Sequence, residues 1–238
     1  MRYLSRLLEN YLIPSPKIGI LKKPYSALVL HFTEFNSKVF QPCEAVHLSI
    51  PEAEYDCGPG IRGVTVLVSP SNYHNLRASY SKFPRVTVRK LKFHSHDLTI
   101  QTILMLMCVH TSSNPPLYMA SVTNVLQDMS ASGDDFDFRD FKSRLPALEK
   151  ELNPNQWQML KQRLKLLETY LDLDASGSGC FGRIEAEQQL TIVDLSSPFV
   201  EAGSACALFN ICIGLFMSET NSSRVIALDE AHKVTFSN

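Results

Sequence analysis

The sequence predicts an α/β protein with a parallel β-sheet and an inserted helical subdomain. Two apolar runs near the carboxyl end, 189–196 and 224–229, are typical of buried strands, and a helical stretch from about 202 to 219 joins them. Two such strands with a helical crossover form a βαβ unit, which implies a parallel sheet. The almost wholly helical pattern from 97 to about 171 indicates a subdomain inserted between strands.

The first part of the chain supplies the other strands of the predicted sheet. In the first strand, alternation places Ala27, Val29 and His31 on one face. A turn rich in Gly and Pro, DCGPGIRG, precedes the second strand, which is a β-branched run. The predicted strands are 25–35, 64–70 and 85–93, and a helix is predicted at 72–83.

The central helices are predicted from their caps and their apolar spacing. Asp97 is a candidate cap for the first, Pro116 stands near the start of the second, Asp137 caps the third, and Asn153 with Pro154 opens the fourth. Their apolar stripes indicate core rather than binding surface. The predicted domains are an N-terminal α/β part at 1–96, a helical insertion at 97–176 and a βαβ segment at 177–238.

Composition indicates a globular intracellular protein of the cytoplasm or nucleus. The formal net charge of −1 gives no support for nucleic-acid binding by bulk charge, and six cysteines without C-x-x-C spacing read as reduced thiols. The apolar run 205–217 is too short to span a bilayer, so no membrane association is expected. The N-terminal stretch reads either as an amphipathic helix that packs on the body or as a mitochondrial presequence.

The motif with the clearest chemistry is DEAH, which directly follows the last apolar strand. Side chains at the carboxyl end of a parallel strand face the crevice where ligands bind. There Asp229 could hold Mg²⁺, usually through a water molecule, and Glu230 could orient the water that attacks a γ-phosphate. The alternative is a solvated acidic pair that begins a loop.

The stretches LTIVDLSSPFVEAGSACALFNICIGLFMSE and RVIALDEAHK resemble the HerA/FtsK-type P-loop ATPases, most closely a poorly characterised group in filamentous fungi. The segments GVTVLVSPSNYHNL and RVTVRKLKFHSHDLT are similar to those fungal sequences as well. DEAH-box helicases share the tetrapeptide, but none of their other motifs is present. The resemblance implies a RecA-like sheet, ATP and Mg²⁺ as cofactors, and a ring-shaped homo-oligomer that moves DNA or another polymer.

The resemblance also implies a role for each residue of the motif, which is the Walker B motif of this superfamily. Asp229 would be the magnesium residue, Glu230 the catalytic base, and His232 a possible link between nucleotide state and polymer contact. For His232 an exposed loop histidine is the alternative. The two acids are expected to emerge from a central strand of the sheet.

A phosphate-binding Walker A loop, G-x-x-x-x-G-K-[ST], is absent from the sequence. The nearest spacing match, Gly58–Thr65, has Val64 in place of the lysine and leads into a strand instead of a helix. The expectation is therefore an incomplete or degenerate ATPase core that is inactive alone, either truncated or with nucleotide binding lost. A noncatalytic protein-interaction module on the same scaffold is the alternative.

Two further groups of side chains have open interpretations. His94 and His96 share a strand face and could bind a metal, or they could simply belong to a polar strand end. The basic residues of the third predicted strand could contact phosphates, or they could form an exposed strand face; they are Arg85, Arg89, Lys90 and Lys92.

Overall fold

The computed structural model describes most of the chain. The described residues are 3–13, 25–33, 40–50, 61–94, 97–107, 116, 118–131, 133, 136–173, 181, 190–218 and 223–229. The strands are β1 (Ser26–His31), β2 (Val64–Val68), β3 (Val86–Lys90), β4 (Phe93–His94), β5 (Leu171–Asp172), β6 (Leu190–Asp194) and β7 (Arg224–Asp229). The helices are α1 (Tyr3–Leu12), α2 (Tyr73–Tyr80), α3 (Ile100–Met107), α4 (Tyr118–Ala131), α5 (Phe138–Arg144), α6 (Pro154–Thr169) and α7 (Ala202–Ser218).

Five of the strands form one parallel sheet in the order β3-β2-β6-β1-β7. This confirms the predicted α/β class and the parallel sheet. The connection from β1 to β2 passes β6 in one direction, and the connection from β6 to β7 passes β1 in the other. Because parallel crossovers are right-handed, connections that run in opposite directions lie on opposite faces of the sheet.

The position of the last strand differs from the prediction. β7 is an edge strand of the sheet as described, since it pairs with β1 alone, whereas the sequence predicted that Asp229 leaves a central strand. Its residues are mostly half-buried, and Leu228 is exposed. The central strands β2 and β6 are buried along their whole length, as the near-continuous apolar runs predicted.

One face of the sheet packs against helices from the first half of the chain. Ala27 and Val29 point to this face, together with apolar residues of β2 and β6. The covering layer consists of α1, the 3-10 helix Glu44–Ser49 and α2. The alternation of β1 places Ala27, Val29 and His31 on one face, so His31 lies on the covered face at the end of this row.

The chain divides into two compact units by its internal contacts. One unit contains Met1–Leu91 and Cys180–Asn238, and the other contains Lys92–Gly179. The first includes the five-stranded sheet. The second contains α3 to α6 and a two-stranded parallel sheet of β4 and β5.

Local capping explains where the helices of the second unit begin. The Asp137 side chain accepts the Arg139 N–H, and Asn153 forms a reciprocal capping box with Gln156, so both predicted caps are confirmed. The prediction that Asp97 caps the first of these helices, α3, is wrong. Its carboxylate accepts the N–H of His94 instead, and the Thr99 hydroxyl accepts the Thr102 N–H at the start of α3.

Among the described helices, none combines the length and the apolar character needed to cross a membrane.

Candidate functional site

Three polar residues form a row across the carboxyl ends of adjacent strands. His31 is the last residue of β1, and it lies in register with Asp194 at the end of β6 and with Asp229 at the end of β7. Parallel strands in register place such side chains on the same face of the sheet. The row therefore belongs to the face covered by α1, the 3-10 helix and α2.

The topology of the sheet makes this edge a suitable place for a ligand. The chain leaves β1 and β6 toward opposite faces, so the carboxyl ends of these two strands form a topological switch point. Ligands of open parallel sheets bind at such a switch point. His31 and Asp194 are the final residues of these two strands.

Asp229 is held by three donors from its own chain. His31 Nδ1 lies 2.9 Å from Asp229 Oδ2, and the Cys43 thiol and the Glu44 N–H also donate to the carboxylate. Burial alone would raise the pKa of Asp229, but these hydrogen bonds and the charge interaction with His31 outweigh it, so the pKa lies below its usual value. The side chain keeps 18% of its exposure, which leaves it accessible from one side.

Cys43 is placed by a second buried network. Tyr80, from α2, donates its hydroxyl to Asp194 Oδ2 over 2.6 Å and accepts the backbone N–H of Cys43 at 3.0 Å. The other oxygen of Asp194 accepts the N–H of Ser196 at 2.9 Å. Burial, followed by the negative charge of Asp194, raises the pKa of Tyr80, which keeps the hydroxyl protonated as a donor.

Hydroxyl side chains link the loops that follow β1, β2 and β6. Ser196 Oγ accepts the backbone N–H of Thr33 at 3.0 Å, and Ser71 Oγ lies 3.1 Å from Ser197 Oγ. Asn72 adds a hydrogen bond from its amide to the Ser196 carbonyl oxygen. These bonds link the three loops to one another at the carboxyl end of the sheet.

Of the three residues predicted from the DEAH motif, the structure describes one. Asp229 lies at the carboxyl end of a parallel strand, half-buried and beside His31, while Glu230 and His232 lie outside the described residues. In the nearest match to a phosphate-binding loop, Gly58–Thr65, only residues 61–65 are described, and Val64 and Thr65 already belong to β2. His96 also lies outside the described residues.

Sequence analysis did not select His31, Cys43, Tyr80 or Asp194 as site residues. His31 and Asp194 were recognisable as candidates from the sequence, because each is a polar residue at the end of an otherwise apolar strand. Cys43 was expected to be a buried thiol, and it is fully buried and free. Nothing local indicates its proximity to Asp229, because the two residues are far apart in the chain.

The cluster brings together three kinds of donor atom. One nitrogen of His31, the Cys43 sulfur and one carboxylate oxygen of Asp229 all lie within 4.8 Å of one another. Fold and site thus define an α/β protein with a His–Cys–Asp cluster at the carboxyl edge of a parallel sheet. Comparisons of the chain with family models, with curated proteins and with solved structures found no match.

Proposed function

We propose that this chain is a RecA-like core of the HerA/FtsK type that does not hydrolyse ATP by itself and acts as a noncatalytic interaction module. The observation that supports this most directly is the environment of Asp229. In the ATPases that the chain resembles, this acid would bind Mg²⁺ through water. Here its carboxylate is shared by His31, the Cys43 thiol and the Glu44 N–H.

The surroundings of Asp229 are unsuited to magnesium. Mg²⁺ requires hard oxygen ligands in a nearly octahedral arrangement and retains several of its waters. A buried imidazole and a buried thiol supply nitrogen and sulfur instead. To bind Mg²⁺ with its waters, Asp229 would have to give up these partners.

The sequence lacks the groups that would compensate a triphosphate. Without the lysine and the wrapped amides of a Walker A loop, the negative charge of the β- and γ-phosphates is largely uncompensated. Two carboxylates and one ion cannot replace that compensation. The missing compensation supports a chain that keeps the fold of the ATPase core and does not hydrolyse ATP.

We expect no saturable binding of a fluorescent ATP analogue to the purified chain, with or without Mg²⁺. We also expect any phosphate release to be equal in the wild type and in Glu230→Gln. Both follow because the sequence has no Walker A loop and Asp229 is engaged within the chain. Magnesium-dependent turnover by the wild type that Glu230→Gln abolishes would contradict the proposal.

An interaction role has support from the surface of α1. Tyr3, Leu7 and Tyr11 are spaced four residues apart and are 69%, 43% and 41% exposed, while Leu8 and Leu12 on the opposite side are buried. Side chains four apart on a helix form one stripe, so α1 presents an apolar stripe to solvent. A net charge of −1 gives little electrostatic repulsion between copies, so a second copy of this chain is the proposed occupant.

We expect the wild type to form oligomers whose population grows with concentration, and Leu7→Lys to remain monomeric. A lysine in the centre of the stripe would bury an unpaired charge in the interface between copies. Size-exclusion chromatography with light scattering measures the mass. Asn210→Lys is the matched control, because it adds the same charge to an exposed position of a different helix, α7, and leaves the stripe on α1 unchanged. A monomeric wild type, or equal behaviour of the two lysine variants, would argue against self-association through α1.

A further inference from the structure

We propose that His31, Cys43 and Asp229 form a binding site for a transition-metal dication of the zinc class. The site uses the same side chains that surround Asp229 in the proposed function, but it goes beyond that function, since it requires neither a nucleotide nor a second copy of the chain. It rests on three side chains that come from distant parts of the sequence and meet at the carboxyl edge of the sheet.

The spacing of the donor atoms suits a tetrahedral ion. Zinc binds nitrogen, sulfur and oxygen at about 2.0–2.3 Å, so donors around one tetrahedral ion are separated by about 3.3–3.8 Å. The three donor atoms all lie within 4.8 Å of one another, and His31 Nδ1 is 2.9 Å from Asp229 Oδ2. Small side-chain rotations would bring all three to bonding distance.

The chemistry of the donors selects among metals. A thiolate with an imidazole and a carboxylate suits zinc and its first-row neighbours, whereas Mg²⁺ and Ca²⁺ require oxygen ligands alone. Three protein ligands leave a fourth position for water or another ligand. That position is reachable from solvent on the side of Asp229, because His31 and Cys43 are buried and Asp229 is partly exposed.

Groups behind the ligands hold two of them in place. Tyr80 accepts the backbone N–H of Cys43 and is itself fixed by Asp194, and the Glu44 N–H donates to Asp229. Glu44 is in turn tied to α1 through hydrogen bonds with Ser5. Such outer contacts orient metal ligands and reduce the reorganisation that binding requires.

Metal binding would replace the proton of the buried thiol. Burial, and then the negative charge of Asp229, raises the pKa of Cys43, so the metal-free protein keeps a neutral thiol that donates to Asp229. On binding, the S–H bond breaks, a sulfur–metal bond forms, and the thiol proton passes to solvent. Neutral His31 binds through Nδ1 after its ring proton moves from Nδ1 to Nε2, so the imidazole keeps the same number of protons. No electron is transferred in this exchange.

Cobalt(II) titration of the purified, metal-free chain tests the site, because a thiolate bound to Co²⁺ produces a charge-transfer absorption band. We expect the band to saturate at one equivalent, to disappear when Zn²⁺ is added, and to withstand an excess of Mg²⁺. A wild type without the band would overturn the proposal. So would displacement by Mg²⁺.

Matched variants identify the ligands. Cys43→Ser should abolish the band while the five other cysteines remain, and Cys206→Ser, at a half-buried thiol on α7, should retain it. Asp229→Asn preserves the shape of the side chain and should weaken Co²⁺ binding by at least about 10-fold. If Cys43→Ser does not fold by circular dichroism, Asp229→Asn decides the question. A band that persists in Cys43→Ser, or wild-type affinity in Asp229→Asn, would overturn the assignment.

Discussion

Tyr80→Phe is expected to lower the free energy of unfolding by about 3–5 kcal/mol, although it removes a single oxygen atom. The Tyr80 hydroxyl donates to a carboxylate oxygen of Asp194 and accepts the N–H of Cys43, and all three residues are at or near zero exposure. A hydrogen bond to a charged group contributes about 1.5–3 kcal/mol, and a buried N–H without an acceptor costs about 1–3 kcal/mol. Phenylalanine removes both contacts without providing another.

The effect is measured by urea unfolding followed by far-ultraviolet circular dichroism. Tyr73→Phe is the matched control on the same helix, because the Tyr73 ring contacts Arg77 and Lys90 through its face, which phenylalanine preserves. A change within about 0.5 kcal/mol is expected for the control. Equal stability of the two variants would show that the Asp194–Tyr80–Cys43 network contributes little.

Phe141→Ala is expected to destabilise the helical unit by about 3–5 kcal/mol, the usual cost of removing a buried aromatic side chain. Phe141 is fully buried on α5, and its ring centroid lies 6.0 Å from that of Phe138 and 5.9 Å from that of Phe136. The substitution leaves a cavity at the centre of this aromatic group. Trp157, the one tryptophan of the chain, lies on α6 in the same unit and reports its unfolding by fluorescence.

Phe136→Ala is the control for this cavity. Phe136 belongs to the same group of rings but is only half-buried, so truncating it removes fewer packing contacts and leaves a smaller cavity. We expect the urea concentration at the midpoint of unfolding, followed by Trp157 fluorescence, to fall much further for Phe141→Ala than for Phe136→Ala. Equal shifts would indicate that the aromatic group is loosely packed.

The sequence was sufficient for features that depend on neighbouring residues. The caps at Asp137 and Asn153 were predictable because a side-chain oxygen reaches an N–H only two or three residues further on. The apolar runs that became β2 and β6 were recognisable because both faces of these strands are buried. Asp97 misled the prediction of α3, since Thr99 stands closer to the first turn and provides the cap.

The order of the strands was not predictable in the same way. A run such as Arg224–Asp229 indicates a strand, but its neighbours are chosen by residues far away in the chain. β7 pairs with β1 alone among the described strands, and its half-buried residues are consistent with an edge. A central position was inferred from the resemblance, and apolar content alone did not distinguish the two positions.

The candidate site shows the same division between local and distant information. The motif correctly placed Asp229 at the carboxyl end of a parallel strand, because that follows from the βαβ pattern. Its partner His31 is 198 residues away, and Cys43 precedes a 3-10 helix with no motif of its own. The proposed roles of Glu230 and His232 stay predictions.

The common end point of β6, β1 and β7 has a consequence for assembly of the sheet. Side chains alternate between faces, so a one-residue slip of β7 would place Leu228 opposite His31 and turn Asp229 away from it. Such a slip would separate the buried His31 imidazole from the Asp229 carboxylate and put the aliphatic side chain of Leu228 in a polar site. The His31–Asp229 pair therefore favours the observed register of β7 on β1 and makes a shifted register less stable.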